Sequence, residues 1–164
     1  MICVSLFASA IRKKLFKEFL DSLKHTTVSY EVVFAGTLTE EDLVEFKEYP
    51  ELKYVTTADI KPSQAYEASR RGCSGELVHW TADDAVMSGD IIGNAYRYWK
   101  AKENRKLILS LQTKENGIFC DMKDHRFFGF DQKTPLMAPL ALLSRDYLEE
   151  LGGVDKRYIC GQYE

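Results

Sequence analysis

Asp83 and Asp84 stand side by side after the apolar run Leu77-Val78-His79-Trp80, with only Thr81 and Ala82 between. If that run is a buried strand, both carboxylates emerge at its carboxyl end, where open α/β sheets place their ligands. Adjacent like charges repel unless a cation or ribose hydroxyls neutralise them. Paired oxygen ligands of this kind suit Mg²⁺ or Mn²⁺ carrying a substrate diphosphate. A solvated Asp-Asp turn that caps the next helix is the plainer alternative.

Other chemistries find little support. The residues after the first apolar segment are Ala8-Ser9-Ala10-Ile11-Arg12, not a GxGxxG loop, and the chain contains no GxxxxGK[ST] and no GxSxG. His25, His79 and His125 lack ligand spacing and read as surface or packed residues, with His125 in Asp124-His125-Arg126 the most open of the three. Cys3, Cys73, Cys120 and Cys160 form no CxxC pair, which argues against zinc. A reducing compartment with free buried thiols is expected.

The elements that must position the acids alternate along the chain. Ile2 to Phe7 reads as a first strand, and Ile11, Leu15, Phe16, Phe19, Leu20 and Leu23 recur at helical spacing opposite a lysine-rich face. Tyr30 to Phe34 is a second strand ended by Gly36, and Thr39 with Asp42 forms a capping-box start for a helix to Lys47. A strand at Lys53 to Thr56 follows, then a helix opened by Pro62 and Ser63, running to Arg71 and stopped by Gly75. After the acidic pair, Asp90 caps a helix from Ile91 to Lys102, and Leu107 to Leu111 is a further strand. Ile118 to Cys120 with Phe127 to Phe130 suggests a short antiparallel ribbon. Ala138 to Leu143 reads as the last strand, before a Ser144-capped helix to Leu151 with Gly152 at its C-terminal cap. This alternation predicts an α/β domain with a mostly parallel central sheet, flanked by helices, and a small antiparallel ribbon.

Composition sets the outer bounds. The chain has 164 residues, 45% of them hydrophobic, enough for one domain with an ordinary core. Its net charge of -3 leaves no basic excess for nucleic acid or an acidic membrane surface. No apolar run approaches the roughly 20 residues of a membrane span. With no basic n-region or cleavage site, a secretion signal is not expected, and the expected location is cytoplasmic.

Three blocks together resemble a family 2 glycosyltransferase of the GT-A fold, the nucleotide-sugar-dependent class. Ala65-Tyr66-Glu67 through Gly75-Glu76 into Leu77-Val78-His79-Trp80-Thr81-Ala82-Asp83-Asp84 is similar to that family's helix, Gly-Glu turn, apolar strand and DxD-type motif. The opening strand and helix, then Tyr30-Glu31-Val32-Val33-Phe34 and Gly36-Thr37, match its nucleotide-binding half. Leu140 to Leu143, Ser144-Arg145-Asp146 and Leu151-Gly152-Gly153-Val154-Asp155 resemble the acceptor-side segment before its catalytic acidic motif. The resemblance implies a single domain over 1–164, with a nucleotide-binding half at 1–84 and an acceptor-side half at 85–164. It also departs from the family. Phe34-Ala35-Gly36 stands where acids often grip the nucleobase, and Thr81 takes the first place of the DxD motif. The chain is shorter than a typical member, so a compact form or a cut one is expected.

The implied activity moves a sugar from a nucleoside-diphosphate sugar to a hydroxyl of a glycan or protein-linked glycan, with inversion. UDP-sugars lead by family frequency. Asp84 is favoured for Mn²⁺ or Mg²⁺, with Asp83 on the metal or the ribose; Ala8, Ser9 and Arg12 are candidates for the nucleotide. Arg71, or Arg70, could add positive charge at the diphosphate, though two solvated helix-end arginines explain them equally. Gly153 and Asp155 are candidates for the donor sugar or acceptor, with a simple turn as the alternative, and Glu164 is the candidate base. Trp80 and the Phe127, Phe128, Phe130 group read as packing first and sugar-stacking second. Two competitors remain. A nucleotidyltransferase of related fold would need a Gly-rich loop after the first strand, which is missing; a non-catalytic glycan- or protein-binding module could have kept the fold.

Overall fold

A computed structural model describes residues 1–58, 60–112, 114–115, 118–119 and 140–154. Six strands form one sheet in the order β3 (Leu52–Thr56), β2 (Tyr30–Gly36), β1 (Val4–Ser9), β4 (Leu77–Trp80), β8 (Ala141–Ser144) and β5 (Leu109–Ser110). The pairs β1–β2, β1–β4 and β2–β3 are parallel, whereas β8 runs antiparallel to both β4 and β5. The sheet is therefore mostly parallel, as the alternation of elements predicts. The reversed β8 delivers its carboxyl end to the opposite edge, where the Arg145 amide donates to the Glu76 carbonyl at 3.1 Å.

Two apolar layers follow from alternation along each strand. Val4, Leu6, Ala8, Val32, Phe34, Leu77 and Leu142 face one side. There they meet Phe16, Phe19 and Leu20 of helix α1 (Lys13–Ser22) and Ile92, Ala95 and Trp99 of helix α4 (Ile91–Ala101). Phe7, Val33, Val78 and Leu143 face the other side, covered by helix α3 (Pro62–Arg71) and by Leu148 of helix α5 (Arg145–Glu150).

The local signals formed as expected. The Thr39 hydroxyl accepts from the Asp42 amide and the Asp42 carboxylate accepts from the Thr39 amide, at 3.2 and 2.9 Å, opening helix α2 (Glu40–Leu43). Asp90 and Ser144 cap α4 and α5. Other boundaries are shorter than expected. α1 gives way to a 3-10 turn at Leu23–His25, and β5 holds only two residues of the Leu107–Leu111 run. A two-stranded ribbon pairs β7 (Ile118–Phe119) with β6 (Lys114–Glu115), an upstream partner that was not expected, while Cys120 and Phe127 to Phe130 lie outside the described residues.

Chain direction determines where a ligand belongs. From β1 the chain crosses to β2 on one side, and β4 adds on the other, so the carboxyl ends of β1 and β4 flank a point where the winding reverses. Open α/β sheets leave a crevice there. Asp83 and Asp84 follow β4 into that place, opposite the loop that leaves β1.

Candidate functional site

The loop from β1 to α1 is fastened from three directions. The Ala10 amide donates to the Ala35 carbonyl at 3.0 Å, continuing the β1–β2 ladder beyond Ser9. The Tyr54 hydroxyl donates to the Ala10 carbonyl at 2.6 Å and accepts from the Leu38 amide at 3.2 Å. Asp83 then takes the next two amides: its Oδ2 accepts from Ile11 at 3.2 Å and Arg12 at 3.3 Å. A carboxylate beside the start of α1 is also favoured by the helix dipole.

The Arg12 side chain folds back onto the same acids. Its Nε lies 3.3 Å from Asp83 Oδ2, while Nη2 contacts Asp83 Oδ1 and lies 3.1 Å from Asp84 Oδ2. The hydrogen bond that Arg12 donates to Asp83 raises its guanidinium above the ordinary value, so it stays charged. Burial separates the two acids. Asp83 is only 3% exposed, whereas the Asp84 side chain is 47% exposed and that of Arg12 49%.

This division tests the fit of a divalent ion. Among the described residues no group of three or more His, Cys, Asp or Glu side chains converges as a closed metal site. Mg²⁺ and Mn²⁺ do not require one, because one or two carboxylates plus substrate phosphates complete their shell. Asp84, half in solvent beyond the carboxyl end of β4, suits such a ligand. Asp83 has its oxygens engaged by the loop, so its first task is to hold Ile11 and Arg12 in place.

Gly36 now has a physical explanation. A Cβ there would lie 2.3 Å from the Ala10 carbonyl oxygen and 2.6 Å from the Tyr54 hydroxyl. The end of β2 is pressed against the loop and a tyrosine fills the remaining space, so no acidic side chain could stand at that position. Tyr54 was not singled out in the sequence; the signal available was a glycine where an acid was expected, together with a tyrosine on the neighbouring strand.

Ala8 and Ser9 end β1 beside Phe34 and Ala35, on the same edge as the acidic pair. Tyr66 donates to the Thr81 carbonyl at 3.1 Å and fixes the turn between β4 and Asp83. Trp80 packs against Phe7 and Tyr66, with ring centroids 5.9 and 5.1 Å away, as a strand tryptophan would. His79 is wholly buried: its Nδ1 lies 3.1 Å from the Ala141 carbonyl, Nε2 has no partner, and burial lowers its pKa to about 4. Cys3 and Cys73 are free thiols.

Arg70, Arg71 and Gly153 are not brought to the acidic pair. Both arginines clasp Glu67, Arg70 through Nε at 2.7 Å and Nη2 at 2.9 Å, and Arg71 through Nε at 2.8 Å. The Val154 amide adds a contact to Glu67 at 3.2 Å, and a Cβ on Gly153 would lie 2.8 Å from Arg70 Nε. Burial pushes the Glu67 carboxyl up, but the hydrogen bonds from Arg70, Arg71 and Val154 outweigh it and bring the group down to about 2. These residues pin the turn after α5 to α3. Asp155, Glu164 and His125 lie outside the described residues.

No protein-family model matches the sequence. No curated protein matches it either. Solved structures share its fold. TarS 1-349 of S. aureus in complex with UDP-GlcNAc superposes with a TM-score of 0.72 at 14% identity, over 92% of this chain and 48% of that one. The UDP complex of the same protein gives 0.71 at 16% identity, over 92% and 49%. Mannosyltransferase PcManGT from Pyrobaculum calidifontis, in complex with GDP-Man and Mn²⁺, gives 0.64 at 18% identity, over 93% and 49%. The chain thus spans about half the length of these neighbours. The fold is GT-A-like, as its sequence predicts.

Proposed function

We propose that the protein is a metal-dependent glycosyltransferase, moving a sugar from a nucleoside-diphosphate sugar to a hydroxyl of a glycan or protein-linked glycan. UDP-sugars are the favoured donors and inversion the favoured outcome. The observation that carries this reading is the acidic pair at the β1/β4 reversal, facing a loop whose amides and arginine are already oriented towards it. It is supported by neighbours of the same fold that hold UDP-GlcNAc, or GDP-Man with Mn²⁺. Family 2 membership and a cytoplasmic setting belong to the same proposal. Among the described residues no helix is long and apolar enough to cross a membrane.

In this reading Asp84 holds Mn²⁺ or Mg²⁺, with Asp83 behind it. Bound there, the ion would neutralise charge growing on the departing diphosphate. Asp83 holds the β1–α1 loop by its amides, Ser9 offers the strand end to the nucleoside with the buried Ala8 supporting it from the core, and Arg12 offers a fork to phosphate oxygens. Residues 1–84 form the nucleotide-binding half. Arg71 and Gly153 we assign to the turn held by Glu67. Asp155 and Glu164 keep the roles their sequence positions imply, sugar or acceptor contact and the base that takes the acceptor proton.

Calorimetric titration with UDP and GDP, with and without Mn²⁺, tests the proposal. Binding that needs both metal and nucleoside diphosphate supports it. Binding of glycan alone, with no affinity for either nucleotide, replaces it with a carbohydrate-binding module.

A further inference from the structure

We propose that Arg12 is a resident counter-cation of the acidic pair, which keeps a divalent ion off Asp84 until a nucleoside diphosphate draws the guanidinium away. This rests on the reading above, in which Asp84 takes the metal. Three observations carry it. One guanidinium nitrogen contacts both carboxylates and neutralises the pair. The side chain is half exposed, so it can leave without disturbing packing. When it leaves, Asp83 still accepts the Ile11 and Arg12 amides, so the loop keeps its shape.

Among the described residues the neighbouring cation is committed elsewhere. Lys13, the next residue, is engaged with Asp42 at 3.3 Å and Glu45 at 2.5 Å, on the α2 side. A diphosphate offers the planar fork of Arg12 what the acids offer it now, paired anionic oxygens. Transfer of the guanidinium from carboxylates to phosphate uncovers Asp84 as the diphosphate arrives with its ion. Metal and nucleotide then enter together and neither binds tightly alone. A lone arginine thereby makes the two affinities reciprocal.

The test is Mn²⁺ binding without nucleotide, followed by electron paramagnetic resonance of free Mn²⁺. Wild-type protein should bind Mn²⁺ weakly by itself. Arg12→Ala should bind it about tenfold more tightly, and adding Asp84→Asn to that variant should remove the gain. Arg12→Gln, closer in length, should show the same direction if Arg12→Ala folds poorly. Arg12 variants whose nucleotide-free Mn²⁺ affinity matches wild type, while wild type still binds UDP with Mn²⁺, overturn this inference and leave the proposed function standing. Wild-type protein that binds no nucleoside diphosphate with Mn²⁺ removes both.

Discussion

Glu31, near the start of β2, and Asp83, just past the end of β4, are each 3% exposed and sit at opposite edges of one sheet. Glu31 is surrounded by its own chain: Ser5 Oγ at 2.6 Å, the Ser74 amide at 2.5 Å, Ser74 Oγ at 2.9 Å, and Lys53 Nζ. Ser5 Oγ in turn accepts from the Gly75 amide at 2.8 Å, so the group ties β1, β2 and β3 to the turn before β4. Asp83 has comparable hydrogen bonding but different surroundings. Its partners belong to a loop and a half-exposed arginine, and the next residue is a carboxylate half in water. At the amino edge charge is consumed in joining strands; at the carboxyl edge it is kept near solvent. The contrast separates a structural acid from one placed for a ligand, where burial alone would have grouped them.

Removing the closed site should have the largest effect. Glu31→Ala leaves the Ser5 hydroxyl and the Ser74 amide without their acceptor, while the half-exposed Lys53 turns to water, and should cost about 2–4 kcal/mol in denaturant unfolding, with nucleotide affinity per folded molecule unchanged. A cost under about 1 kcal/mol would mean that the amino edge is as loosely held as the other. Acid should act at the same place. Burial pushes the Glu31 carboxyl up, but hydrogen bonds from Lys53, Ser5 and Ser74 bring it down to about 2, and Glu67 reaches the same value through its arginines. Each group binds a proton more readily unfolded than folded. Their stabilisation is complete above pH 4.5 and fades as pH falls towards 2, by about 3 kcal/mol for each carboxylate. Thermal melting across that range should fall steeply, and Glu31→Gln should flatten part of the slope.

The open site predicts the reverse pattern. Asp84→Asn removes a half-exposed charge and should leave the melting temperature within about 2 °C. It should weaken Mn²⁺-dependent nucleotide binding about 100-fold, or roughly 2.7 kcal/mol. Unchanged nucleotide affinity in that variant would remove Asp84 from the metal site and leave the two edges chemically alike.

The sequence made one half of this contrast visible. Leu77 to Trp80 is a short apolar run and Asp83-Asp84 a local charge pair, so strand and acids could be placed without knowing what lay opposite. Caps were legible for the same reason, since Thr39 with Asp42, Asp90 and Ser144 act on amides within three residues. Partners far along the chain were not. Arg12 meets Asp83 across 71 positions, and Glu31 meets Ser74 across 43. A strand residue such as Glu31 reads as solvent-facing until its register against Ser5 is known. Arg70 and Arg71 are a different case: Glu67 lies three and four positions before them on α3, a helical spacing that was legible and pairs them locally. Crossover geometry directs Arg12 to the acidic pair, whereas the helical spacing of α3 directs Arg70 and Arg71 to Glu67. The reversal of β8 was likewise invisible, since an apolar run has no intrinsic direction.

The smallest effect should fall on the link between loop and sheet. Tyr54→Phe deletes one oxygen and leaves the Ala10 carbonyl and Leu38 amide without that partner. The expected loss is about 1–2 kcal/mol of stability, less than for Glu31. Its distinguishing consequence lies at the other readout. Ala10 immediately precedes the Ile11 and Arg12 amides that Asp83 holds, so a loosened Ala10 should weaken Mn²⁺–UDP binding about threefold, although the hydroxyl is engaged by backbone groups alone. Glu31→Gln, which costs more stability, should not produce that loss. If Tyr54→Phe lowers stability and leaves nucleotide affinity intact, Asp83 alone positions the loop. Tyr54 would then belong with Glu31 among the residues that join strands.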